Sequence, residues 1–260
     1  MKSVARALNP WRILRIVFSW LFRVWSEYKR FLLVVFILVA LGGFILSLEP
    51  ATRRVIVAGL FARRSVIVLL LLFSLVTLSL LWSAGQQLDT WVFLRFNLRG
   101  YHPLWLDRVM WAATQIGNGA VGILTGIALY FIGQRRLAVQ LLLGILTLWL
   151  VVELIKAIVE RSRPFLVLEG TRIIGWKERG KSFPSGHTAQ AFFMMTLLNQ
   201  SLPFGPAFTV VVYITAVLVG FTRIYVGAHY PRDVIGGAVL GSVWGILTSM
   251  VQVYLSTGSF

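Results

Sequence analysis

Three short stretches of this 260-residue chain hold residues that could do chemistry: Lys156-x6-Arg163-Pro164, Pro184-Ser185-Gly186-His187 and Arg223-x5-His229-x3-Asp233. They supply three cationic side chains, two of the chain's three histidines and a carboxylate. That set can hold a phosphate, attack it and protonate what leaves, without a metal or any other cofactor. Lys156, Arg163 and Arg223 would neutralise the phosphoryl oxygens, the two guanidinium groups in forked geometry. A Pro-Ser-Gly sequence at a helix start leaves backbone N–H groups pointing outward, so the Ser185 and Gly186 amides and the Ser185 hydroxyl would add donors. His229 would be the nucleophile, with Asp233 orienting its ring and fixing its tautomer. His187 would protonate the leaving oxygen and then activate water, a contribution of roughly 10²–10⁴ in rate.

Each stretch alone is a weak signal. A single histidine at a membrane surface commonly serves as a polar anchor. Two histidines and an aspartate could hold a metal, but the lysine and arginine around them would repel a cation. The argument rests on all three stretches occurring in order, each at the end of a predicted helix.

Those helices follow from composition. Hydrophobic residues make up 58% of the chain and charged residues only 13%, with a mean hydropathy of +0.81. A soluble domain would carry about twice that share of charge. The apolar residues fall in long runs, which predicts an all-α integral membrane protein. The runs are 31–48, 65–83, about 109–133, 137–155, 186–201, 207–222 and 234–254. Residues 84–108 mix Asp89, Arg95, Arg99 and Asp107 with aromatics and read as an interfacial helix and loop. Gln134-Arg135-Arg136 and Leu202-Pro203-Phe204-Gly205-Pro206 read as tight turns. Gly122-x3-Gly126 and Gly237-x3-Gly241-x3-Gly245 place small residues on one helix face, for close packing within the bundle or association with a second copy.

Residues 1–30 hold seven Lys/Arg and one acid, with tryptophan and phenylalanine interleaved, and read as an amphipathic helix on the membrane surface. The net charge of +16 suits anionic headgroups and topology signals rather than nucleic acid, for which no aromatic-and-basic platform exists outside the spans. The chain has no cysteine, so thiolate chemistry and disulfides are excluded.

Loops 156–186 and 223–233 are separated by two spans, so they emerge on the same membrane face, where four helix ends can surround one pocket. The three stretches resemble the signature of the type 2 phosphatidic acid phosphatase superfamily: Lys-x6-Arg-Pro, Pro-Ser-Gly-His and Ser-Arg-x5-His-x3-Asp. This sequence has Thr222 where the third motif usually begins with serine, which keeps the hydroxyl. The run Pro103-Leu104-Trp105-Leu106-Asp107-Arg108-Val109-Met110 and the later Gly117-Asn118-Gly119 also look like the bacterial membrane branch. The resemblance covers roughly 65–254 and implies a six-helix transmembrane catalytic core. Residues 1–64 are an additional amphipathic and hydrophobic membrane segment. It further implies a metal-free phosphohistidine mechanism using the residues named above.

A pocket in a membrane implies a substrate with its phosphate at the interface and its tail in lipid. Undecaprenyl diphosphate is the favoured candidate, ahead of phosphatidylglycerol phosphate, phosphatidate and lipid A phosphates. The loop bearing Trp176, Lys177, Arg179 and Lys181 suits a diphosphate or a crowded anionic headgroup. The rivals are a lipid phosphotransferase, a sugar phosphatase, and a non-enzymatic membrane protein whose basic cluster only binds lipid. Relatives of this branch place the site on the outer face of the cytoplasmic membrane. With seven spans, that would put the basic N-terminus outside as well, against the positive-inside tendency. Arg53, Arg54, Arg63, Arg64, Arg135 and Arg136 lie in connections that would be cytosolic under the same placement.

Overall fold

The computed structural model describes residues 28, 31–40, 42–99, 102–202 and 204–257, and all regular structure among them is helical. The expected surface helix at 1–30 therefore lies almost entirely outside the described residues. Two compact units are present, Met1–Arg53 and Arg54–Phe260. The first contains an apolar helix, α1 (Phe31–Ser47), and α2 (Pro50–Ala62) spans the boundary in sequence.

The second unit carries all three motifs. Its helices are α3 (Arg64–Ser79), α4 (Ser83–Asn97), α5 (Leu104–Thr114), α6 (Gly119–Phe131), α7 (Arg135–Val159), the single turn α8 (Pro164–Val167), α9 (Gly186–Ser201), α10 (Pro206–Tyr225) and α11 (Pro231–Thr257). Among the described residues, the stretch Arg135–Val167, α10 and residues Pro231–Val251 of α11 are long and apolar enough to cross a membrane. Up to five such spans are present if each of two bent helix pairs counts as one. Large apolar side chains such as Leu75, Leu143, Trp149, Val211, Ile214 and Val217 are exposed on the bundle's outside, which is how a helix presents itself to lipid rather than to water. The chain is a multi-pass membrane protein.

The bends explain where sequence patterning and structure differ. The predicted span at about 109–133 is broken: α5 ends in a 3₁₀ turn at Gln115–Gly117, and α6 restarts at 57° to it. Asn118 caps the restart by accepting from the Ala120 N–H at 3.0 Å. Gly117 is required there, because a Cβ would lie 2.4 Å from the His187 carbonyl oxygen. The break therefore makes room for the start of α9. At the other bend, α4 leaves α3 at 94°, as suits the interfacial reading of residues 84–108.

The core lies between α7, α9 and α11, where Leu141, Leu148, Val152, Ala189, Phe193, Met194, Leu197 and Leu240 are buried together. The glycine face of α11 lets α9 approach to backbone contact. A Cβ on Gly237 would lie 2.5 Å from the Ser185 carbonyl oxygen, and one on Gly241 would lie 2.1 Å from that of Ala189. This face is used within the molecule. It fixes the start of α9, which carries the second motif, against the start of α11, which carries Asp233.

Candidate active site

The first motif is built by how α7 ends. Glu160 adopts a left-handed conformation at the helix C-cap and turns the chain away. Pro164 opens α8 and restricts Arg163 to extended backbone, φ −74° and ψ 154°. Arg161 and Arg163 are both buried, whereas Ser162 between them is exposed. The second motif is a helix start. The Ser185 hydroxyl caps α9, accepting from the Thr188 hydroxyl at 2.9 Å and the Thr188 N–H at 3.4 Å. The third joins two helix ends. Arg223 lies in the last turn of α10, where the dipole favours a cation, and Asp233 in the first turn of α11, where it favours an anion.

These elements converge. Arg163 Nη1 lies 3.2 Å from His229 Nε2 and also donates to the Ala228 carbonyl at 3.2 Å. Its other nitrogens donate to the Gly180 and Arg179 carbonyls, each at 3.2 Å. Arg223 Nη1 donates to Thr114 Oγ1 at 2.8 Å. Lys156 pairs with Glu153 at 2.8 Å, and its Nζ comes within 4.0 Å of where a Cβ on Gly186 would stand, beside the start of α9. Lys156, Arg163, Gly186 and His187 line one cavity of about 620 Å³. It continues away from them between α6 and α7, past Ile123, Leu142, Ile145, Leu146 and Trp149. A cationic end opening into an apolar groove can take an anionic head and an aliphatic tail together.

Two details differ from expectation. The Ser185 N–H does not face the cavity. It donates to the Asp233 carbonyl at 2.9 Å, because α9 and α11 start side by side. The Ser185 side chain is fully buried as the α9 cap. This leaves the Gly186 and His187 amides, which have no intrahelical carbonyl to bond, as the donors at that terminus. Asp233 meets His229 only loosely, with Oδ2 3.7 Å from Nδ1. Ser182 stands beside both, its hydroxyl donating to Asp233 Oδ2 at 2.5 Å and lying 3.5 Å from Nδ1.

Four further side chains escaped the reading of spacing. Arg161 donates to Asp233 Oδ1 and to Asp89 Oδ2, each at 2.5 Å, and to Gln86 Oε1 at 2.7 Å. Its guanidinium sits 4.4 Å from the centre of the Tyr230 ring. Asp89, on α4, also accepts from Arg232 Nε at 2.7 Å and is buried. Ser182 is the third. The fourth is Glu178, whose carboxylate accepts from Arg163 Nη1 at 2.8 Å and from Arg223 Nη2. Burial alone would raise the Glu178 carboxyl, but the neighbouring His229 imidazole and Arg223 guanidinium outweigh it and hold the group well below the usual carboxylate range. The only advance signal for these four was that Arg161, Glu178 and Ser182 fall in the basic loop and Asp89 in the mixed segment.

The region that carries the three motifs resembles known proteins. Residues 137–256 match the family model of the PAP2 superfamily. The undecaprenyl-diphosphatase of Sulfolobus acidocaldarius is 30% identical over 194 residues, covering 74% of this chain and 91% of that protein. Phosphatidylglycerophosphatase B of Bacillus subtilis is 33% identical over 150 residues, 53% of this chain and 70% of that protein. The crystal structure of a transmembrane PAP2-type phosphatidylglycerolphosphate phosphatase from Bacillus subtilis superposes with a TM-score of 0.65 at 26% identity, covering 74% of this chain and 97% of that one. The chain belongs to the PAP2 superfamily, among its membrane lipid phosphatases.

Proposed function

We propose that the chain hydrolyses a terminal phosphate from a lipid phosphate or diphosphate, undecaprenyl diphosphate being favoured, through a phosphohistidine on His229 and without metal. The observation that carries this is a cavity with an apolar far end whose head is lined by Arg163, Glu178 and His187, with His229 against Arg163 and Arg223 against Glu178 directly behind them. The relative named undecaprenyl-diphosphatase, matched over 91% of its length, supports the choice of substrate. The Bacillus subtilis relative and the Bacillus subtilis crystal structure, both named for phosphatidylglycerol phosphate, make that lipid the principal rival.

In this reading Arg163, Arg223, Lys156 and the Gly186 amide neutralise the phosphoryl oxygens. His229 Nε2 attacks phosphorus, forming an N–P bond as the P–O bond to the lipid breaks. The departing oxygen takes its proton from His187. His187 then removes a proton from water, the resulting hydroxide attacks the phosphohistidine, and inorganic phosphate leaves with His229 restored. Ser182 and Asp233 hold the Nδ1 side of the ring so that Nε2 keeps its lone pair toward the substrate. The site lies on the outer face of the cytoplasmic membrane.

The test is phosphate release by the detergent-purified protein with EDTA present. Undecaprenyl diphosphate, phosphatidylglycerol phosphate and phosphatidate are compared, with His229→Ala as control. Release should survive EDTA and vanish in His229→Ala. His187→Ala should fall by roughly 10²–10⁴ and accumulate an acid-labile phosphoprotein. Release that needs a divalent ion, or that persists in His229→Ala, would refute the mechanism. The ranking of the three lipids decides the substrate.

A further inference from the structure

Glu178 has no step in that mechanism, yet it occupies its centre. One carboxylate oxygen accepts from Arg163 at 2.8 Å, and the other accepts from Arg223. The same two oxygens face the histidines: Oε1 lies 3.6 Å from His187 Nδ1, and Oε2 lies 3.8 Å from His229 Nε2. The anion bridging the two arginines, with the attacking and protonating rings on either side, is therefore the protein's own. It stands where a phosphoryl group must stand to react.

The physical setting gives this a purpose. The site opens among membrane phosphodiesters, which far outnumber any phosphomonoester. A diester headgroup has one charge and two unesterified oxygens, which is also what a carboxylate has. A bare pair of arginines would bind such headgroups readily. Against a tethered carboxylate already in place at high effective concentration, a diester gains no additional contact. A terminal phosphoryl group brings a third unesterified oxygen and up to a second charge. It can satisfy both arginines and still reach the free amides of α9 or Lys156.

We propose that Glu178 is a specificity-determining residue: its carboxylate fills the phosphoryl position at rest and yields to terminal phosphates but not to phosphodiester lipids. The proposal rests on the reading of this cluster as the phosphoryl site. Displacement needs only the side chain to rotate, because Arg163 also holds the carbonyls of Arg179 and Gly180 and so keeps the loop in place. Room for the rotated side chain exists in a second cavity of about 170 Å³ that Glu178 also lines, together with Trp111, Thr114, Phe165 and Trp176.

The experiment compares the full chain with Glu178→Gln and Glu178→Ala in detergent, after thermal melts show that both variants fold. Orthovanadate binding is measured by calorimetry, which does not depend on turnover. Phosphate release is then followed in mixed micelles as phosphatidylglycerol replaces neutral detergent. Both variants should bind orthovanadate at least about tenfold more tightly, since a charge-assisted competitor is gone. Phosphatidylglycerol should inhibit them severalfold while slowing the wild-type protein only by dilution. Unchanged vanadate affinity would overturn the proposal, and so would tighter vanadate binding with a wild-type response to the diester. If the wild-type chain releases phosphate from no lipid, the phosphatase reading falls. The vanadate comparison then judges Glu178's occupancy of the anion site, and calorimetric competition between vanadate and phosphatidylglycerol judges its selectivity.

Discussion

Arg161 and Arg163 sit two residues apart on one extended run and act on opposite sides of His229. Arg163 reaches the ring's Nε2 side, which the proposed mechanism gives to the substrate. Arg161 reaches Asp233 on the other side and ties it to Asp89 with a single guanidinium. Lysine cannot make both contacts with a single-point ammonium. Arg161→Lys should therefore lower kcat by roughly 10²-fold, a general-base-sized effect, while leaving KM nearly unchanged, because Arg161 does not touch the cavity. Steady-state kinetics on the preferred lipid check this, and an equal fall in affinity would show that Arg161 binds substrate after all. The contrast also marks what was legible at this scale. Residue type and spacing picked out Arg163, His187, His229 and Asp233 as candidates, because each lies in a recognisable motif, and the structure brings them together around Glu178 and the His229 ring. Arg161, Ser182 and Asp89 were not legible. Their meaning lies in pairings across 72 residues for Arg161 with Asp233 and with Asp89, and 51 for Ser182 with Asp233.

Among the elements, the glycine face of α11 sets where two of the three motifs meet. It brings two helix starts into contact, and the Ser185 N–H bond to the Asp233 carbonyl closes that contact. A methyl at Gly241 would meet the Ala189 carbonyl oxygen at 2.1 Å, a backbone atom that cannot rotate away. Gly241→Ala should cost about 1–3 kcal/mol of stability and most of the activity, because α9 and α11 must part and carry His187 and Asp233 with them. Gly205→Ala, with nothing within 4 Å of its Cβ position, should change neither. Thermal midpoints in detergent and phosphate release distinguish the two, and a harmless Gly241→Ala would remove the close-packing argument. Hydropathy made most of these helices legible: the predicted 186–201 coincides with α9, and 207–222 lies within α10. The break at Gly117 was not legible, since a glycine in an apolar run looks like any small residue until the His187 carbonyl fills the space beside it.

Charge is unevenly used across the whole second unit. At the end that holds the site, six cations are matched by acids: Arg161 and Arg232 with Asp89, Arg163 and Arg223 with Glu178, Arg172 with Asp107, and Lys156 with Glu153. At the opposite end, Arg63 is the N-cap and Arg64 the first residue of α3, and Arg135 and Arg136 begin α7. Among the described residues no acid pairs with these four in a salt bridge. The positive-inside tendency counts lysine and arginine rather than net charge, so the cations at both ends bear on topology, and labelling from one side decides between them. The 25 residues of α7 span about 37 Å, enough to separate the two ends across a bilayer. Because the chain contains no cysteine, single cysteines report this directly. Glu169→Cys, exposed in the site loop, should react with a membrane-impermeant maleimide in intact cells. Gln134→Cys, exposed in the turn before α7, should react only after the cells are permeabilised. The reverse pattern would put the site on the cytosolic face. The substrate pool would then be cytosolic lipid phosphates, and the arginines of the α6–α7 turn would be held outside against their charge.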